Sequence, residues 1–295
     1  MRARSAGPCL VGLLLGTALA QGAPAGAVSA QELVRRSARN ELDPANAKVK
    51  FMLRDQKRTA SGSQTKVFVQ THEAVAGLVV AYNDQPLNPE QQRGEMWRVK
   101  RFLKDPEEMK KKQKQEKEDG ERYERIIKAL PDAFLYEYDG TESARAGVGE
   151  RGEALTRLRF RPNPDYDPPT RVEQTLTGME GHMLIDATKC RIARIEGTLA
   201  KDVNFGWGFL GHLDKGGHIL IEQGDVWQGE WRVTRMDLAF TGKILFFKSI
   251  SVQSSEVSSD FHPVPSDLTF AQGVEMLKQQ QAVIAENLRK AADPK

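Results

Sequence analysis

From Gly178 to Phe247 the chain alternates apolar and polar residues in short runs, broken by Gly, Asp, Asn and Lys. A period of two marks strands with one face on a core and the other toward water, and the breaks mark tight turns. The stretch therefore predicts an antiparallel meander. Within it, Gly181–Asp186 is one strand and Asp186-Ala187-Thr188 a turn. Cys190–Leu199 is the next strand, with Ala193, Ile195, Gly197 and Leu199 on one face and Arg194, Glu196 and Thr198 on the other.

The same period appears earlier, in Lys48–Gln56, Thr65–Thr71 and Gly77–Tyr82, where β-branched residues are enriched. Asn83-Asp84 makes a turn after them. Ala133–Tyr138 and Ala154–Phe160 are further strands, and the proline-rich Arg161–Pro169 segment reads as a stiff connection outside any central strand. The sheet is expected to finish near Val252 or Val257, with Pro263-Val264-Pro265 as a linker.

A helical period of 3.6 replaces the period of two in three places. Ser29-x-x-Glu32 resembles a capping box before a short helix carrying Leu33, Val34 and Ala38. Asn88 and Pro89 suit the cap and first position of a helix that breaks at Asp105-Pro106. A second helix follows and is expected to end before Pro131, so residues 88–130 form a helical insertion between strands. Its middle, Lys110–Glu121, mixes signs at helical spacing and reads as a solvated face held by i,i+4 pairs. A last helix, capped at Ser266-Asp267, carries Phe270, Val274, Leu277, Val283, Ile284 and Leu288. These elements give an α+β fold: a strongly curved antiparallel sheet with inserted helices and a C-terminal helix, in one domain over residues 29–290.

The first residues have a different character. Arg2 and Arg4 precede the short apolar run Leu10–Leu19, and Ala18-Leu19-Ala20 is a small-x-small site. That is the layout of a secretory signal peptide over residues 1–20, with a second cleavage possibility after Ala30, and the run is too short to span a bilayer. Removing it takes away two arginines and leaves basic and acidic residues nearly balanced, so the charge does not point to nucleic acid. It also removes Cys9, which leaves Cys190 without a disulfide partner. The expected location is the periplasm, with only peripheral or transient membrane contact.

No catalytic pattern stands out along this frame. Five histidines are present (His72, His182, His212, His218, His262) and none forms HExxH, HxH or an i,i+4 pair. His212 and His218 flank a five-residue segment and can meet only across a hairpin. Cys190, between Lys189 and Arg191, reads as a packing residue in a strand. No GxSxG elbow, P-loop or GxGxxG after a strand occurs, and no metal or cofactor is expected. The segment Asn204–Gly211 stands apart because Phe205, Trp207 and Phe209 alternate with other residues, two of them Gly. Glycine there permits a bend, and the aromatics either line an apolar groove or fill the core beneath. With Ile195 and Leu199 they are the candidate lining of a ligand cavity.

Gly181-His182-Met183-Leu184-Ile185-Asp186 followed by Arg191-Ile192-Ala193-Arg194-Ile195-Glu196-Gly197, behind three strands and a helical insertion, resembles exported bacterial proteins of the LolA/LolB-like, outer-membrane lipoprotein-sorting fold. The resemblance implies an unclosed half-barrel wrapped around helices, with an apolar cavity for acyl chains of a lipid or lipoprotein. Three functions follow as expectations. The first is a non-catalytic carrier of lipid or lipidated protein. The second is a sensor or scaffold that binds a protein through the charged helices. The third, and least supported, is a hydrolase using Asp and His at strand ends.

Overall fold

The computed structural model describes residues 28–206, 210–244 and 248–292. The chain opens with α1 (Ala30–Glu41), then β1 (Lys50–Thr59), β2 (Gly62–Gln70), β3 (Val75–Tyr82) and the two-residue β4 (Gln85–Pro86). Two helices follow, α2 (Pro89–Lys104) and α3 (Pro106–Ala133), before β5 (Phe134–Ser143) and β6 (Ala154–Pro162). A four-residue turn of helix, α4 (Arg171–Gln174), precedes β7 (Met179–Asp186), β8 (Arg191–Leu199), β9 (Val203–Phe205) and β10 (Gly211–Leu213). The chain closes with β11 (His218–Trp227), β12 (Glu230–Ile244), β13 (Lys248–Val264) and α5 (Phe270–Ala292).

All thirteen strands join one antiparallel sheet in the order β4-β3-β2-β1-β13-β12-β11-β8-β7-β6-β5, with β10 on β12 and β9 on β10. The two ends of this path do not pair, so the sheet is an unclosed barrel of α+β class. The helical insertion joins those two ends, since it leaves β4 at one edge and delivers the chain to β5 at the other. At 28 residues, α3 is about 42 Å long, enough to bridge a wide opening.

The ends of the insertion follow local chemistry. Asn88 and Gln91 exchange side-chain and backbone hydrogen bonds at 2.9 Å each, a complete capping box. Asp105 ends α2 and caps α3, accepting from the Glu107 amide at 3.0 Å. The expected stop before Pro131 is corrected, because α3 continues to Ala133 with Pro131 in its last turn. Proline there removes the single helical bond to the Ile127 carbonyl, and the Gln31 side chain donates to the Pro131 carbonyl.

Cross-strand pairing shows which face each core occupies, because directly opposed residues share a face. One row runs Leu158, Met183, Ile195, Ile221, Met236, Glu256, Lys57, Gln64. At its β6–β8 end this face is covered by Leu33 and Val34 of α1 and Ile127 and Leu130 of α3. Met52, Val67, Val69 and Leu78 lie on the opposite face, covered by Phe270, Val274 and Leu277 of α5. The two main cores therefore sit on opposite faces at opposite ends of the sheet, and we call the α1/α3 side the inner face.

Edge strands invite unwanted pairing, and both edges here are guarded. On β3 the Val75 amide donates to Glu116 at 3.2 Å and the Val79 amide to Glu95 at 3.3 Å, while Arg98 donates to the Gly77 carbonyl at 2.9 Å. Side chains of α2 and α3 thus stand where a further strand would. On β5 the pairing register shifts between Tyr138 and Thr141, and Glu137, Asp139 and Glu142 add charge.

Four local expectations are corrected. Ala193 does not share a face with Ile195: the register slips between Leu184 and Ile185, and Ala193 packs with Leu155, Leu184 and Trp231. Cys190 lies in the turn before β8 with φ +50°. The sheet does not end at Val257, because β13 runs on until Pro263 and Val264 pair with Phe51 and Lys50. The cap of α5 is Thr269, which accepts from the Gln272 amide at 3.2 Å while its own amide donates to the Gln272 side chain at 2.8 Å. Thr269→Ala should lower stability by about 1 kcal/mol, the usual worth of such a cap, read as a lower urea midpoint with an unchanged slope.

Candidate functional site

A cavity of about 430 Å³ opens at the β3 edge of the sheet, between β2–β3 and α2, where Phe68 comes from the inner face and Phe270 from the α5 core. Phe68, Val75, Val79, Val99, Phe102 and Phe270 supply its apolar surface. It exists because β2 carries apolar residues on both faces. Val67 and Val69 face α5, while Phe68, one residue out of phase, faces inward beside Lys66 and Gln64. Opposite Phe68 stands Gly77, where a Cβ would come within 2.7 Å of the ring. Glycine at that place lets the ring lie flat against β3 and leaves room above it.

Charge collects at the cavity in an uneven way. Lys66, Arg98 and Lys112 line it, with Glu95 as the one carboxylate. Arg98 is held by Glu95 at 2.8 Å and Lys112 by Glu116 at 2.8 Å. These carboxylates are the same ones that cap the β3 edge, so both ion pairs are fixed in place by the sheet. The Lys112 amine lies 5.6 Å from the Phe102 ring centre, and the Lys66 amine 6.0 Å from that of Phe68. Across from Lys66, Asp55 accepts from the Ser258 hydroxyl at 3.1 Å. Burial pushes its carboxyl above the usual aspartate range, against the lowering effects of Ser258 and Lys66.

The residues singled out in the sequence lie elsewhere. Leu199 is fully buried among Met179, Phe160 and Leu176 in the α1/α3 core, and Ile195 and Phe205 are half-buried at its margin. Trp207 and Phe209 fall outside the described residues. Ile195 does share the inner-face row that ends at cavity-lining Gln64, five strands away. Between them the row holds Ile221 and Met236, then the Lys57–Glu256 ion pair. His212 and His218 take different partners, Asp214 at 3.1 Å and Thr198 at 3.4 Å. The cavity residues were missed because Lys66-Val67-Phe68-Val69 reads as an ordinary strand; the apolar residue on its polar side was the available clue.

Two further clefts have charged residues that are already paired. One of about 560 Å³ crosses β6–β8 on the outer face beside Arg159, His182 and Glu196, whose side chains are partnered by Glu137, Asp139 and Arg194. The other, about 470 Å³, lies between Gly147 and the β13 irregularity at Asp260, beside Glu222, which Arg145 and Arg194 already neutralise. Among the described residues no three His, Cys, Asp or Glu side chains converge as a metal site would require, and no helix is long and apolar enough to cross a membrane. Neither a protein-family model nor a curated protein matches this sequence.

Proposed function

We propose that this chain is an exported, non-catalytic binding protein that takes up an acyl chain of a lipid or lipidated protein in the cavity between β2–β3 and α2. The observation that carries this reading is the cavity itself: about 430 Å³ with a floor of Phe68, Val79, Phe102 and Phe270. That volume lies within the roughly 300–1,000 Å³ of ligand sites. Burying a chain of about 14 methylenes is worth on the order of 10 kcal/mol gross. An open, one-sided container returns part of that and so allows release. The resemblance to lipoprotein-sorting proteins points the same way, and the periplasm is the proposed location.

The start of α1 supports signal cleavage after Ala20 over cleavage after Ala30. Ser29 caps the helix, accepting from the Glu32 amide at 3.1 Å, and the Val28 carbonyl accepts from the Tyr138 hydroxyl at 2.5 Å. A cut after Ala30 would discard both contacts.

The scaffold alternative gains less from the geometry. Lys110, Lys111, Lys114 and Lys117 each pair with an acid on α3 itself, so the exposed helix offers a partner little unbalanced charge.

Protein isolated from the periplasm should carry lipid in native mass spectrometry and should take up a fluorescent fatty acid. Phe68→Asp, which sets a charge in the apolar floor, should weaken uptake by about tenfold or more. Absence of both co-purified lipid and uptake in the unaltered protein would sink the proposal.

A further inference from the structure

The cavity's charge says something about the head of its ligand, provided the acyl-chain reading above holds. We infer that the ligand is an anionic single-chain amphiphile whose carboxylate or phosphate sits against Lys66 at the cavity mouth, with Arg98 and Lys112 beside it.

The three cations differ in how far they are already satisfied. Arg98 has Glu95 and the Gly77 carbonyl, and Lys112 has Glu116. Lys66 has no carboxylate within 4 Å among the described residues; its neighbours are the Phe68 ring and, across the strand, Asp55, which accepts from Ser258. Its side chain is half-buried, and its amine makes no hydrogen bond to an acceptor among the described residues. With Arg98 and Lys112 each paired to a carboxylate, Lys66 is the lining cation without an ion-pair partner among the described residues. An anion arriving there regains for Lys66 the charge-assisted hydrogen bond it lacks. Arg98 is set in advance by its bond to the Gly77 carbonyl, and Lys112 by Glu116, which itself accepts from the Val75 amide, so little ordering accompanies binding.

The head and tail sites are contiguous. Lys66 and Phe68 are two residues apart on the same face of β2, so an anion at the amine directs its first methylenes over the Phe68 ring. A cationic head would meet the unpaired Lys66 charge, and a neutral head would leave Lys66 without an ionic partner.

The test is isothermal titration calorimetry of the full chain with four probes of one tail length: dodecanoate, dodecyl phosphate, dodecanol and dodecyltrimethylammonium. The two anions should bind about tenfold or more tighter than the alcohol, and the cation weakest. Their order separates a fatty-acid carboxylate from a phosphate head. Lys66→Gln should bring the anions down to the affinity that the same variant shows for the alcohol, while Lys66→Arg should keep the preference. Equal affinity for anions and alcohol, tighter binding of the cation, or an anion preference that survives Lys66→Gln overturns the head-group inference and leaves the acyl-chain reading standing. Failure of all four probes to bind overturns both.

Discussion

Glu41→Ala should cost the protein about 3–5 kcal/mol, the range expected when one member of a buried ion pair is removed. Glu41 is the last residue of α1, and its side chain is 2 % exposed. It holds Arg191 in a fork, with Nε at 3.0 Å and Nη2 at 3.2 Å, and it also accepts from the Ile192 amide at 3.0 Å. The guanidinium lies 5.4 Å from the Trp231 ring centre. Truncation leaves the Arg191 charge and the Ile192 amide without acceptors where water has little access, and that desolvation sets the scale. It also frees the end of α1, which covers the inner face of β7 and β8. Urea unfolding checks this as a large fall in midpoint. Glu41→Gln should cost less because it keeps an acceptor. The double variant Glu41→Ala with Arg191→Met should recover part of the loss, because the stranded charge is gone. A loss below about 1 kcal/mol for Glu41→Ala would place the pair in the class of surface bridges and refute the argument.

Phe160→Ala should be comparably damaging, about 3–5 kcal/mol. The Phe160 ring is 4.6 Å from that of Phe134 and 6.2 Å from that of Tyr136, whose hydroxyl donates to the Leu130 carbonyl at 2.9 Å. Phe160 stands directly opposite Gly181, which in turn stands opposite Gly197. A Cβ on Gly197 would come within 3.3 Å of the Phe160 ring, so the ring supplies the cover that two neighbouring glycines lack. Removing it opens a cavity over the two glycines, which the neighbouring Met179 side chain can fill only in part. Phe160→Leu should retain more than half of the stability at stake, as measured by urea midpoint. Equal losses for the Leu and Ala variants would mean that strain rather than lost volume governs the site.

Much of this fold is legible in the chain because period and punctuation agree. Strands β1, β2, β3, β6, β7 and β8 fall on their alternations, and Asn88 and Asp105 mark the ends of the helical insertion. What escapes is decided by tertiary context. Strand β13 is rich in serine and nearly without an apolar face, so the alternation carries the sheet only to Val252 or Val257; the rest is placed by pairing with β12 and β1 on both sides. Ala193 changes faces through a one-residue slip that composition cannot reveal. The site is less legible than the fold. The aromatic-glycine segment Asn204–Gly211 draws attention by its composition, whereas the cavity depends on Phe68 being out of phase and on Gly77 arriving opposite it from the next strand. Edge capping by Glu95, Arg98 and Glu116 is likewise invisible before the helices are seen to connect the two ends of the sheet.

The pairing of β1 with β13 also orders events in time. Lys57 and Glu256 meet across 199 positions of sequence, so the sheet cannot be completed until nearly the whole chain exists. Until then the three-stranded unit of β1, β2 and β3 has an open flank along β1, and contacts so remote form slowly. That flank carries Lys50, Arg54, Asp55, Lys57 and Arg58, a density of charge that opposes sticking to other unfinished chains. The polar middle of the sheet thus protects the nascent protein while it waits for its own last strand.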